Sequence, residues 1–160
     1  MQKKLTHEDY MQLALKQAEL AAQMDEVPVG AVLITEDGQI FSAHNAPISK
    51  HDCSAHAELE VIRLASQALG NYRLLNSTLY VTLEPCLMCS GAIIHARIGH
   101  VVYGAYDNKT GAISSLYQIL SDERLNHQPE ITSGILEKTC SEQLRTFFKH
   151  KRQGKICQKP

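Results

Sequence analysis

An α/β sandwich, a mixed sheet covered by helices, is the fold this chain predicts. Three observations carry it: an Asp37-Gly38 hairpin signal between two short β-type runs, an alternation of β-type and helical segments after it, and helical patterning at both ends. Thr6 caps a first helix running to about Met24, with Tyr10, Leu13, Ala14, Ala18 and Ala21 on one face. Val27-Pro28-Val29 breaks it, and Gly30 to Ile34 is a short apolar run suited to a buried strand. Gln39 to Asn45 returns antiparallel to that strand, which leaves Asn45 at a strand end. Pro47 to Ser54 reads as loop. Ala55 to Leu69 then has helical spacing through Leu59, Ile62, Ala65 and Leu69, closed by Gly70-Asn71. Thr78 to Leu83 is a strand rich in β-branched and aromatic residues. Pro85, a favoured first-turn residue, opens the next helix and Gly99 closes it. Val101 to Tyr106 is a further strand, Asp107 to Gly111 is polar turn chemistry, and a short helix lies near Ser114 to Leu120. Glu130 to Ser133 is a last strand. From Ile135 the chain is helical, with Leu136, Cys140, Leu144, Phe147 and Phe148 as its buried stripe.

A chain of 160 residues suits one domain, 1–160, with a basic helix and tail from about 135. With 44% hydrophobic and 21% charged residues and no low-complexity tract, the composition excludes the disordered and fibrous classes. No apolar run approaches the ~18 residues of a membrane span, and the first residues turn polar too soon for a signal peptide. Five cysteines, an odd number, fit a reducing compartment better than a disulfide framework, so a cytoplasmic location without membrane contact is expected. The net charge of -1 hides an asymmetry: from Lys138 onward there are seven basic side chains against Glu142 alone, leaving nine basic and sixteen acidic ones before it. A basic tail on an acidic body points to an anionic partner met at one end, with Lys149, Lys151 and Arg152 as candidate contacts. A solvated helix end complementing the macrodipole is the bland reading of the same charges.

Two stretches carry the chemistry, His56-Ala57-Glu58 and Pro85-Cys86-Leu87-Met88-Cys89. His56, Cys86 and Cys89 supply the three protein ligands typical of a catalytic zinc that keeps its fourth position open. Glu58 is not needed as a ligand and stands close enough to carry a proton. His56 and Glu58 fall in the first turn of one helix, and Cys86 and Cys89, three apart, face the same way at the start of another. There the dipole end favours thiolates and developing anions. The competing arrangement uses Cys53: Cys53-x-x-His56 with Cys86-x-x-Cys89 has the spacing of a closed structural zinc site. Against it, such a site has no use for Glu58. The remaining histidines have no partner at metal spacing, and Lys109-Thr110-Gly111 lacks a phosphate-loop glycine pattern.

His-x-Glu followed by Pro-Cys-x-x-Cys resembles the signature of the zinc-dependent nucleoside and nucleobase deaminases. Asn71-Tyr72-Arg73-Leu74, Thr78 to Glu84 and Asp107 to Gly111 extend the resemblance, over most of the chain, to the bacterial tRNA-specific adenosine deaminases. The resemblance implies a cytidine deaminase-like three-layer α/β/α sandwich on a five-stranded mixed sheet, with one zinc per subunit between the second and third helices. It implies hydrolytic deamination of adenosine to inosine at the wobble position, position 34, of a tRNA anticodon stem-loop, by a homodimer. Glu58 would be the proton shuttle, and backbone donors near Ala57 would hold the adduct. Asn45 would bond the purine or ribose, Glu84 would shape the pocket edge, and Asp107 would touch the nucleotide backbone. Two departures stand out: Cys53 where relatives usually carry proline, and Tyr106 where they often carry arginine. The competing functions are a deaminase of a free base or nucleotide such as cytosine or guanine, which needs no basic tail, and a non-catalytic RNA-binding module built on structural zinc.

Overall fold

The computed structural model describes residues 3–157, with side chains as far as residue 154; the side chains of Lys155 and Cys157, and Lys159 with the rest of the tail, lie outside the described residues. In chain order the elements are α1 (His7–Gln23), β1 (Gly30–Ile34), β2 (Ile40–His44), α2 (Pro47–Lys50), α3 (Ala57–Leu69), β3 (Thr78–Leu83), α4 (Leu87–His95), β4 (His100–Ala105), a 3₁₀ turn (Ile119–Ser121), β5 (Glu130–Thr132) and α5 (Glu137–Cys157). The five strands form one sheet in the order β2-β1-β3-β4-β5. β1 pairs antiparallel with both β2 and β3, and β3, β4 and β5 run parallel, so the sheet is mixed.

Strand alternation sorts the side chains into two layers. Ala31, Leu33, Leu79, Val81, Val101 and Tyr103 pack with Ala57, Val61 and Ala65 of α3 and Ile93 and Ile94 of α4. Val32, Tyr80 and Val102 point the other way, against Met11, Ala14 and Leu15 of α1 and Cys140 of α5. The result is helix, sheet and helix in three layers. β1 approaches α1 so closely that a Cβ on Gly30 would lie 1.9 Å from the Ala14 carbonyl oxygen. The registers also bring four chain segments to one end of the sheet, the carboxyl end of the parallel pair β3 and β4. These are residues 26–29 before β1, Asn45 after β2, Cys86 after β3 and Asp107 after β4. Crevices at that end are where open α/β sheets bind ligands.

Several expectations are corrected. The segment expected as loop after Asn45 contains the one-turn helix α2; Ala46 at its N-cap has no side-chain bond to offer, and the turn is held by Glu26, far outside the local sequence. Cys86 is held extended by a bridge to Gly111, so α4 starts at Leu87 rather than at Pro85. That helix closes at Ala96 and Arg97, not Gly99: Arg97 takes φ 59° and its guanidinium caps the Ile94 carbonyl at 2.8 Å. On α3 the buried seam runs through Ala57, Val61 and Ala65, with Ile62 partly buried against the same cluster, while Leu69 is exposed. Met11 and Leu15 join the buried face of α1, with Leu13 at its margin. Of the short helix expected near Ser114 to Leu120, only the 3₁₀ turn at Ile119–Ser121 forms; residues 112–115 are turns wrapped on Glu84. On α5, Phe148 is 44% exposed; this helix runs beside α1, where the Gln143 amide donates to the Leu15 carbonyl and Lys151 pairs with Asp25.

Candidate active site

His56 is the N-cap of α3 and Cys86 the N-cap of α4, so two metal-ligand types stand at facing helix starts with extended backbone. Each cap carbonyl accepts the first bond of its helix, from Glu60 N–H and Ser90 N–H, both at 2.9 Å. Cys89 lies one turn into α4 and is fully buried. The His56 Nδ1 atom is 3.6 Å from Cys86 Sγ and 3.5 Å from Cys89 Sγ. Zinc–sulfur bonds of ~2.3 Å and zinc–nitrogen bonds of ~2.0–2.1 Å at a tetrahedral angle set nitrogen and sulfur about 3.6 Å apart. The donor set and its spacing therefore fit zinc. Among the described residues no fourth metal-ligating side chain joins this group: Cys53 is exposed, on the loop before α3.

Contact with the Cys89 thiol, and then with the His56 ring, brings the Cys86 thiol down to about 4 despite burial. The same contact, with burial, pushes Cys89 far above the usual thiol range. Hydrogen bonding to Cys86 raises the His56 imidazole, against the effect of burial. Glu58 follows in the first turn of α3, 4% exposed. Burial holds its carboxyl up at about 6, although its own backbone N–H and His56 favour the charge. Buried, near neutral in pKa and beside a three-donor metal site, it has the properties of a proton carrier.

Ala57 is buried at the first position of α3. Asn45 is 8% exposed at the end of β2; its backbone N–H donates to Val29 at 3.0 Å and its Nδ2 to the Val27 carbonyl at 3.3 Å. Glu84 is 2% exposed, and its oxygens accept from the backbone N–H groups of Asp107, Ile113, Ser114 and Ser115 and from the Ser115 hydroxyl. Burial disfavours its charge, yet these donors outweigh that and hold its carboxyl below the usual range. Through these bonds Glu84 orders the loop after β4. Gly111 lets that loop close, because a Cβ there would meet the Glu84 carboxyl carbon at 2.4 Å. The Asp107 carboxylate closes its own turn, accepting from Lys109 N–H at 3.0 Å, Thr110 N–H at 3.1 Å and the Thr110 hydroxyl at 2.6 Å. Tyr106 donates to the Ser133 hydroxyl at 2.9 Å.

The three basic candidates on α5 differ from one another. Lys151 pairs with Asp25 and lies 5.8 Å from the centre of the Phe147 ring, so its charge is already partnered. Lys149 and Arg152 are exposed and form no ion pair among the described residues. Asp25 leads directly into the residues before β1, so the Lys151 pair brings this end of α5 to the same end of the sheet as the metal group. Glu26 is the buried residue that sequence reasoning missed; the available signal was an Ala46-Pro47 helix start with no capping side chain of its own.

Residues 4–105 match the family model described as the cytidine and deoxycytidylate deaminase zinc-binding region. A tRNA-specific adenosine deaminase of Haemophilus influenzae is 48% identical over 153 residues, covering 95% of this chain and 88% of that protein. One of Bacillus subtilis is 47% identical over 146 residues, 91% of each. A solved structure from work on A-to-I editing by tRNA:A34 deaminases at the wobble position of transfer RNA superposes with a TM-score of 0.81 at 45% identity, covering 84% of this chain and 98% of that one. Matched in fold, in sequence and in the residue types gathered for zinc, the chain belongs to the zinc-binding cytidine and deoxycytidylate deaminase family, among its bacterial tRNA-specific adenosine deaminases.

Proposed function

We propose that this chain is a zinc-dependent hydrolase that converts adenosine to inosine at the wobble position of a tRNA anticodon. It would act in the cytoplasm as a homodimer of single deaminase domains. The observation that carries the reaction class is Glu58, a buried carboxyl in the first turn of α3 beside a His/Cys/Cys group that no fourth described side chain completes. The substrate follows from the relatives, which are named for tRNA adenosine.

Zinc held by His56, Cys86 and Cys89 supplies the Lewis acidity that makes water a nucleophile at neutral pH. Glu58 takes one proton from the attacking water and delivers it to N1 of the purine as oxygen bonds to C6. It then passes the second proton to the amino group, the C6–N bond breaks, and ammonia leaves inosine behind. The Ala57 backbone N–H and the dipole of α3 favour the oxygen's developing charge. Asn45, fixed at the end of β2, holds the base or ribose, and Asp107 touches the nucleotide backbone. An unpaired loop base enters such a pocket at small unstacking cost. Exposed Lys149 and Arg152 meet phosphates. A second subunit would cover a groove of about 340 Å³ where Leu87, Gly91, Ile94, Ile119 and Leu125 lie beside His95, Arg97 and Asn126.

The test is to incubate the purified protein with an anticodon stem-loop carrying adenosine at the wobble position, and separately with free adenosine, cytosine and guanine, and to measure inosine and ammonia. Turnover of the stem-loop alone is expected. Turnover of a free base without the stem-loop would make it a small-molecule deaminase, and binding without turnover would make it an RNA-binding module.

A further inference from the structure

Glu26 belongs to none of the chemistry above, yet it is 1% exposed and its carboxylate faces another segment of the chain. It follows Asp25, which takes φ 63° to end α1, and its own N–H donates to the Ala21 carbonyl at 2.9 Å. One carboxylate oxygen accepts from Ile48 N–H at 3.0 Å; the other accepts from Ser49 N–H at 3.0 Å and from the Ser49 hydroxyl at 2.9 Å. Those are the first donors of α2, whose own N-cap, Ala46, has no side chain able to bond them. A helix of one turn does not sustain itself. Glu26 therefore supplies from a distance the cap that the local sequence lacks.

Two further bonds run between the same pair of segments: the backbone and side-chain N–H groups of Asn45 donate to the Val29 and Val27 carbonyls. A third bond leaves the turn elsewhere, from Ala46 N–H to the Ala55 carbonyl at 2.9 Å, one residue before His56. Asn45 is thus gripped on one side by residues 27 and 29 and on the other by a turn that Glu26 holds in place. A buried polar group whose donors are all fixed in place rigidifies its surroundings, here the turn of α2.

We propose that Glu26 is a positioning residue: by capping α2 from the end of α1 it fixes Asn45 beside the zinc-ligand histidine and so sets how tightly the target base is held. This rests on the reading of the site as a tRNA adenosine deaminase in which Asn45 contacts the nucleotide. Glu26→Gln keeps the shape but turns an amide N–H₂ toward one of the three donors. Ser49→Ala removes one bond at an exposed residue and leaves the buried carboxylate in place.

The experiment measures kcat and KM on the anticodon stem-loop for wild type, E26Q, S49A, N45A and the two double variants with N45A, with zinc content and circular dichroism alongside. The expected result is a KM raised about tenfold in E26Q and two- to threefold in S49A, with kcat within about twofold of wild type and one zinc per chain retained. In the N45A background neither substitution should raise KM further, since residues acting through one another are non-additive. A purely structural Glu26 would lower kcat through a smaller active fraction at unchanged KM, or act equally with and without Asn45, and either result overturns the proposal. If E26Q does not fold, S49A decides: an unmoved KM refutes the clamp. Absence of turnover by the wild type overturns the functional reading and the clamp's role with it, whereas wild-type turnover with unmoved KM in both variants overturns the clamp alone.

Discussion

Glu58 stands where burial and a helix start pull in opposite directions, and burial wins, leaving a carboxyl that titrates at about 6. Removing it tests the chemistry apart from the metal: Glu58→Gln should lower turnover on the order of 10² to 10⁴-fold while zinc stays at one per chain by metal analysis. Cys53→Ala should change neither quantity, and zinc loss there would restore the closed, structural site. Glu26 gives a separate signature in acid. Burial works against its charge, but the Ser49 and Ile48 N–H groups and the Ser49 hydroxyl outweigh it and hold the carboxyl below its ordinary value. A carboxyl depressed in the folded state stabilises it above the unfolded pKa, near 4.3 for glutamate, and loses that contribution as pH falls through the folded value. The melting-temperature gap between wild type and Glu26→Gln should therefore be widest above about pH 5 and should narrow on acidification. A gap that widened in acid would reverse the assignment. The residue types of the metal group were legible because their spacing is local; Glu26 was not, because its partners lie 22 and 23 residues on and only the fold brings them together.

Among the elements, β1 and α1 make the tightest demand. The Gly30 backbone lies against the turn of α1 at Ala14 and Ala18, where a methyl group has no room. Gly30→Ala should cost about 2–3 kcal/mol in a denaturant titration, since neither a helix carbonyl nor a central strand can step aside. An unchanged midpoint would mean that the two layers slide freely. Element identity was largely readable from hydrophobic period and turn chemistry, as at Asp37-Gly38 and Thr78–Leu83. Element edges were not. Cys86 is kept out of α4 by a bridge to Gly111, and Arg97 does the work expected of Gly99, because tertiary contacts there override local preference. The buried seam of α3 went wrong for a related reason: Leu59, Ile62 and Leu69 are as apolar as Val61, and only the position of β1 and β2 selects among them.

At the scale of the molecule, the order β2-β1-β3-β4-β5 could not be read from the chain, because pattern names strands and not their neighbours. That order gathers the ends of β2, β3 and β4 with the start of β1 at one rim, and the pairing of Lys151 with Asp25 brings the basic end of α5 to the same rim. If Lys149 and Arg152 meet phosphates there, replacing both by glutamate should raise KM for the stem-loop and flatten the dependence of log affinity on log salt by about one unit per lost contact. Equal slopes would put the RNA elsewhere. The two helix-capping ligands have one more consequence. His56 and Cys86 are set by the first bonds of α3 and α4 and by apolar seams beneath them, so the scaffold should hold its shape without the ion, unlike a zinc finger. A chelator should therefore extinguish turnover while the far-ultraviolet dichroism stays as it was, and resupplied metal should revive the enzyme without any refolding step.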